Sequence, residues 1–152
     1  RCATLRSRLR ACITRQHGNP CHQLAAYIVH DSPFTMLCDA LHYLNEQECV
    51  DFITSLPVET DSTFIASGEL GKYIVTVRKK DVNWYVGGMT NWDRRDVELD
   101  FSFLPEGVRY MATLFVDGIN ADKQAEDYRM EKRIVDRESR MKLHLASGED
   151  LP

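Results

Sequence analysis

The sequence has 152 residues and a formal net charge of −4, with 43% hydrophobic and 28% charged residues. This length and composition fit one ordinary soluble domain, and no apolar run reaches the 18 or more residues typical of a transmembrane helix. The charge is uneven, because residues 1–30 hold five arginines and no acid, whereas the 23 acidic residues begin at Asp31. An acidic folded part argues against a nucleic-acid partner.

The beginning of the chain resembles no secretory signal. Residues 1–15 are rich in arginine and free of acids, like a transit peptide, but they lack the apolar core and cleavage site of a signal peptide. The five cysteines, Cys2, Cys12, Cys21, Cys38 and Cys49, all lie in the first third of the chain. An odd number of cysteines predicts no disulfide framework.

Residues 21–56 have helical patterns. Ser32 can cap a helix whose first residue is Pro33, which has no amide hydrogen to leave unpaired. Asn45 can cap the next helix, and Pro57 ends it. The apolar face of that last helix consists of Cys49, Phe52, Ile53 and Leu56.

After Pro57 the hydrophobic period changes from 3.6 to 2. The alternating segments are KYIVTVRKK, VNWYVGGMT, DVELDFSFL, VRYMATLFVDG and MKLHLAS. Short strands at this spacing predict an antiparallel β-sandwich over residues 57–152. Residues 118–133 show no strand pattern, and we predict a long loop or a short helical turn there.

A zinc site is one possible function for the helical segment. Soft thiols and imidazoles are the side chains that zinc prefers. The candidates are Cys21, His22, Cys38, His42 and Cys49. Their spacing fits no paired C-x-x-C pattern and Cys49 falls on an apolar helix face, so core packing is favoured over metal binding.

A cluster of oxygen ligands near the last loop suggests calcium. Its members are Asp117, Asn120, Asp122, Glu126 and Asp127. Ile119 and Ala121 occupy positions that an EF-hand needs for ligands, so we favour a solvated turn.

Paired carboxylates would be needed for glycoside hydrolysis. The candidates are Asp93, Asp96, Glu98 and Asp100. Glu98 and Asp100 fall on the polar face of an alternating strand, which favours solvated charge over catalysis.

Two tryptophans are candidates for substrate binding. Trp84 and Trp92 could stack on a sugar ring, although aromatic residues on short strands more often belong to the core.

Several long motifs resemble the C-terminal part of glycoside hydrolase family 97, whose members include α-glucosidases and retaining α-galactosidases. The motifs are CHQLAAYIVHDSPFTMLCD at 21–39, QECVDFITSLP at 47–57, GKYIVTVRKK at 71–80, WYVGGMTNWDRRDVELDFSFL at 84–104 and FVDGINADKQAEDY at 115–128. The resemblance implies that residues 21–56 close a (β/α)₈ barrel and that residues 57–152 form the C-terminal sandwich that follows it.

The family's catalytic carboxylates and calcium-binding glutamates map upstream of Cys21, so the resemblance assigns no catalytic residue, metal ligand or cofactor to this chain. Calcium is implied only for an intact relative, as is a periplasmic or secreted location. The family's last strand is missing after HLASGEDLP, which could leave an edge of the sandwich unpaired. Residues 1–20 do not resemble the barrel. A slip of the reading frame would explain such an aberrant segment, and we predict that it is disordered.

Together these observations predict a C-terminal fragment of a bacterial α-glycosidase, an accessory structural domain that is inactive alone and packs against the parent's catalytic barrel. The alternative is a free-standing sandwich that binds an α-linked oligosaccharide or a protein.

Overall fold

The computed structural model describes residues 7–14, 20–32, 47–91, 93, 95–117 and 128–145. Within these ranges the elements are β1 (Arg8–Thr14), α1 (Pro20–Val29), α2 (Gln47–Thr54), β2 (Ser62–Glu69), β3 (Tyr73–Lys80), β4 (Asn83–Thr90), β5 (Arg95–Asp100), β6 (Tyr110–Asp117), β7 (Tyr128–Val135) and β8 (Arg140–Leu145). The predicted mainly β class is confirmed. No helix in the described part is long and apolar enough to cross a membrane.

Two sheets make up the β part. The larger has the strand order β2-β3-β4-β1-β6-β7, and the smaller pairs β5 with β8. Every described pairing is antiparallel except those of β1, which runs parallel to both β4 and β6. The large sheet is therefore mixed rather than wholly antiparallel.

Both faces of the large sheet are covered. On one face, Leu9 of β1 and Val86 of β4 pack with Val97 and Leu99 of β5 in the core between the sheets. On the other face, α1 and α2 pack on the same strands, in a second core that includes Phe52. Burial on both faces explains why β4 reads as an almost unbroken apolar run.

Close contact between α1 and β4 depends on one glycine. A Cβ atom at Gly87 would lie 2.7 Å from Ile28 Cβ and 3.0 Å from the carbonyl oxygen of Ala25. Only a residue without a side chain lets the helix approach the strand this closely. The predicted helix at Pro33 and the predicted cap of α2 at Asn45 lie outside the described residues.

The prediction of a disordered segment over residues 1–20 is wrong for residues 8–14. They form β1, whose Leu9, Ala11 and Cys12 are at most 1% exposed. Because β1 is parallel to both neighbours, β4 and β6 also run parallel to each other and could not form an antiparallel pair directly. Strand β1 supplies hydrogen-bonding partners to both of them in the centre of the sheet.

Besides β1, two strands were not predicted from the sequence. Residues 128–133, placed in a loop or helical turn, belong to β7, and β2 carries only a weak apolar pattern. Both are edge strands of the large sheet, where exposure to solvent on one or both faces weakens the alternation. Conversely, β5 ends at Asp100, before the predicted end of the strand at residue 104.

Candidate functional site

Trp84, a candidate for sugar stacking, lies in the core. Its side chain is 6% exposed, and its ring centroid lies 5.2 Å from that of Phe103. Lys79 Nζ lies 5.6 Å from the same indole ring. A sugar in solvent has no access to the face of this ring. Trp92, the second candidate, lies outside the described residues.

The candidate carboxylates form surface ion pairs. Arg140 of β8 lies 3.6 Å from a carboxylate oxygen of Glu98 and 3.4 Å from one of Asp100. Asp93 lies 3.8 Å from Arg95. These side chains lie largely on the exposed face of the small sheet, where such pairs contribute about 0 to 1 kcal/mol to stability.

The residues considered for metal binding do not come together within the described part of the chain. Cys49 is 6% exposed and lies in the core that also contains Phe52 and Phe115. Among the described residues, no group of three histidines, cysteines or acids could hold a metal ion. We therefore assign no zinc or calcium ligand there. The described part of the chain does not include residues 118–127 or the side chains of Cys21, Cys38, His42 and Asp117.

The Asp61 carboxylate stabilises the β3–β4 turn through two hydrogen bonds. The backbone N–H of Asp81 donates to Asp61 Oδ2 at 2.6 Å, and Lys80 Nζ donates to Oδ1 at 3.1 Å. These bonds to the carboxylate lower the pKa of Asp61, and the same pairing raises the pKa of Lys80. Asp81 has a φ of 51°, which its short polar side chain tolerates.

The Tyr85 hydroxyl connects the sheet to the helical layer. It donates to the backbone carbonyl oxygen of Ser55 at 3.1 Å. Burial raises the pKa of Tyr85 and lowers that of the neighbouring Arg10, whose Nη1 donates to the Asp51 carbonyl oxygen at 3.3 Å.

Strand β2, an edge of the large sheet, exposes two large apolar side chains next to each other. Ile65 is 63% exposed and Phe64 is 37% exposed. Beside them, between β2 and β5, is a groove with a volume of about 440 Å³. Its lining includes Phe64, Ile65, Leu99 and Phe103, together with Glu98, Asp100 and Arg140.

The opposite edge of the same sheet is protected by charge. Strand β7 has the sequence YRMEKRIV, in which Glu131 pairs with Arg129 at 2.8 Å and with Arg133 at 2.6 Å. Strand β2, STFIASGE, has no lysine, arginine or proline, and its one charge is at its end. Charges on edge strands prevent pairing with other chains, so β2 is the edge available for contact.

Comparison with known proteins identifies the family. The family model described as glycosyl-hydrolase 97 C-terminal, oligomerisation, matches residues 59–149. The chain belongs to the glycoside hydrolase 97 family. The resemblance read from the sequence motifs is thereby confirmed.

Two relatives show which part of a family 97 protein this is. The chain is 46% identical over 132 residues to the retaining alpha-galactosidase of Bacteroides thetaiotaomicron, covering 86% of this chain and 20% of the relative. A family 97 enzyme from Pseudoalteromonas sp. strain K8, solved with panose, matches with a TM-score of 0.77 at 31% identity, over 83% of this chain and 20% of that one. The chain thus spans about a fifth of these relatives and corresponds to their C-terminal accessory region.

A beta-arabinopyranosidase matches with a TM-score of 0.63 at 20% identity, a likeness of fold alone.

The match to the family 97 C-terminal sequence model begins at residue 59. It therefore includes the exposed edge strand β2 but neither the central strand β1 nor the two helices.

Proposed function

We propose that this chain is the accessory C-terminal module of a family 97 glycosidase, that it associates copies of the enzyme, and that it carries no catalytic residues. The match of residues 59–149 to the oligomerisation domain of the family carries this proposal. The β2 edge supports it, because an edge strand whose one charge is at its end can pair with another chain.

The partner within the enzyme is the catalytic barrel, and its substrate is an α-linked oligosaccharide. Two observations support this class of substrate. The chain is 46% identical to a retaining alpha-galactosidase, and it resembles family 97 structures solved with panose and acarbose. Such hydrolysis uses one carboxylic acid to protonate the leaving oxygen and a second carboxylate as base or nucleophile. We assign both, and any calcium, to the parent barrel, and we propose a periplasmic or secreted location for the enzyme.

The test combines sedimentation equilibrium with an activity assay on the whole chain. We expect reversible self-association at micromolar concentrations and no release of nitrophenol from nitrophenyl α-galactoside or α-glucoside. A monomer at every concentration would contradict the association function. Hydrolysis proportional to the amount of chain would contradict the absence of catalytic residues.

A titration with maltooligosaccharides separates this function from that of a glycan-binding module. Because the proposed module binds no sugar, and the indole of Trp84 lies in the core, we expect tryptophan emission to stay unchanged as the sugar is added. Saturable quenching would instead support a sugar-binding surface.

A further inference from the structure

We propose that β2 is the association surface itself, and that it pairs antiparallel with β2 of a second copy around a two-fold axis near the middle of the strand. The two large sheets would then form one continuous sheet of twelve strands, six from each copy. This inference rests on the proposed association function and specifies the residues that perform it.

The first argument is the unusual exposure of this strand. Seven of its eight residues are exposed. Phe64 packs edge-to-face on Phe103, with ring centroids 5.8 Å apart, so it lies on the side of the small sheet. Successive residues of a strand point to opposite faces, so Ile65 lies on the other side. The edge therefore presents an apolar residue on each face, and a second strand would cover both.

The second argument is charge complementarity. At one end of β2, Asp61 pairs with Lys80, and at the other end Glu69 pairs with Lys72. In a two-fold antiparallel pairing, each end of β2 lies beside the opposite end of the second copy. Each lysine can then approach a carboxylate of the other copy, because Lys80 comes to lie near Glu69 and Lys72 near Asp61. A second copy of this chain is thus a matched partner.

The third argument is the groove between β2 and β5. Its volume of about 440 Å³ is large enough for an aromatic side chain, and Phe64 and Phe103 are among its lining residues. The two-fold pairing brings Phe64 of the second copy to the same face, beside this groove. The charged rim formed by Glu98, Asp100 and Arg140 is already paired within the chain.

One irregularity interrupts the edge. The register with β3 shifts between Ile65 and Ser67, which marks a bulge at Ala66. A bulge increases the local twist and can turn an edge away from another strand, but this one places no charge on the edge. Backbone groups on both sides of Ala66 can therefore form hydrogen bonds with a second copy. No charged side chain of β2 next to Ala66 would repel that copy.

The experiment measures the dimer dissociation constant of the whole chain by sedimentation equilibrium for three proteins: wild type, Ile65→Lys and Ile134→Lys. Ile134 is a matched control, because it is also an isoleucine, is 56% exposed and lies in β7 at the opposite edge of the large sheet. A lysine at Ile65 would put a charge into the paired strand. We expect it to raise the dissociation constant at least tenfold, whereas Ile134→Lys leaves it within about twofold.

Hydrogen exchange of the unmodified chain provides a second readout that needs no variant. Raising the protein concentration should slow exchange of amides in Ser62–Glu69 and leave those of Tyr128–Val135 unchanged. If the chain dimerises but Ile65→Lys matches Ile134→Lys and exchange in β2 does not change, the β2 surface is wrong and the association function stands. If all three proteins stay monomeric, both proposals fail.

Discussion

The place of β1 in the centre of the sheet makes a sharp prediction for Leu9→Ala. Leu9 is 0% exposed and lies in the core between the sheets, paired in register with Trp84 on one side and Ala112 on the other. Removing its side chain beyond Cβ leaves a cavity that two ordered neighbouring strands cannot readily fill. The sequence alone had placed this residue in a disordered segment, where the same change would cost almost nothing.

The expected loss is about 2 to 5 kcal/mol of unfolding free energy, the usual cost of truncating a fully buried leucine. Domains have total stabilities of only about 5 to 15 kcal/mol, so the variant should be close to unfolding at room temperature. Leu70→Ala is the matched control, because Leu70 is 102% exposed and loses no packing. We expect that control to change stability by less than about 0.5 kcal/mol.

Urea titration followed by circular dichroism measures both variants. The midpoint for Leu9→Ala should fall well below that of the wild type, with an unchanged slope if the folded state stays equally compact. A Leu9→Ala midpoint equal to that of Leu70→Ala would refute the reasoning. It would show that residues 8–14 do not pack into the sheet, and the prediction of a disordered N-terminal segment would be restored.

Two further predictions concern the turn and the helix contact. Because the folded-state pKa of Asp61 lies below its ordinary value of 3.8, its stabilisation is present above that value and disappears as pH falls through the folded pKa. Asp61→Asn should therefore be less stable than wild type at pH 7 and approach it below about pH 4, and a stability gap that is constant across pH would contradict this. Gly87→Ala should lower the unfolding free energy by about 1 to 3 kcal/mol, because the added Cβ would lie 2.7 Å from Ile28 Cβ. An unchanged melting temperature for Gly87→Ala would show that α1 does not pack against β4 this closely.

Several parts of the fold could be predicted because their patterns are local. The alternation around Val75 and Val77, and around Val97 and Leu99, predicted β3 and β5, since a half-buried strand shows its two faces within a few residues. The apolar spacing that includes Phe52 likewise predicted α2. In β5 the structure shows the alternating burial that the pattern requires, whereas in β3 the polar Thr76 and Arg78 are buried as well.

The association surface could not be predicted in the same way. An exposed Ile65 looks the same in sequence as a buried one, because only the strand order reveals that β2 is an edge. STFIASGE alternates weakly and YRMEKRIV is rich in charge. Both features are explained by the position of these strands at the two edges of one sheet. Trp84 illustrates the converse, since an aromatic residue suited to binding sugar is instead covered by the small sheet.

The sequence by itself determined the mainly β class, the family motifs and the helical segment before Pro57, because propensity, periodicity and motif identity lie within short stretches of chain. The tertiary structure alone decided the position of β1. Its pairing with β4 and β6 joins residues about 75 and 100 positions apart, and parallel strands are matched by backbone hydrogen bonds that leave little trace in side-chain pattern. The short segment RLRACIT is a central strand because its backbone forms hydrogen bonds with two parallel strands. Its side chains also pack in both cores, Leu9 and Ala11 in one and Cys12 in the other.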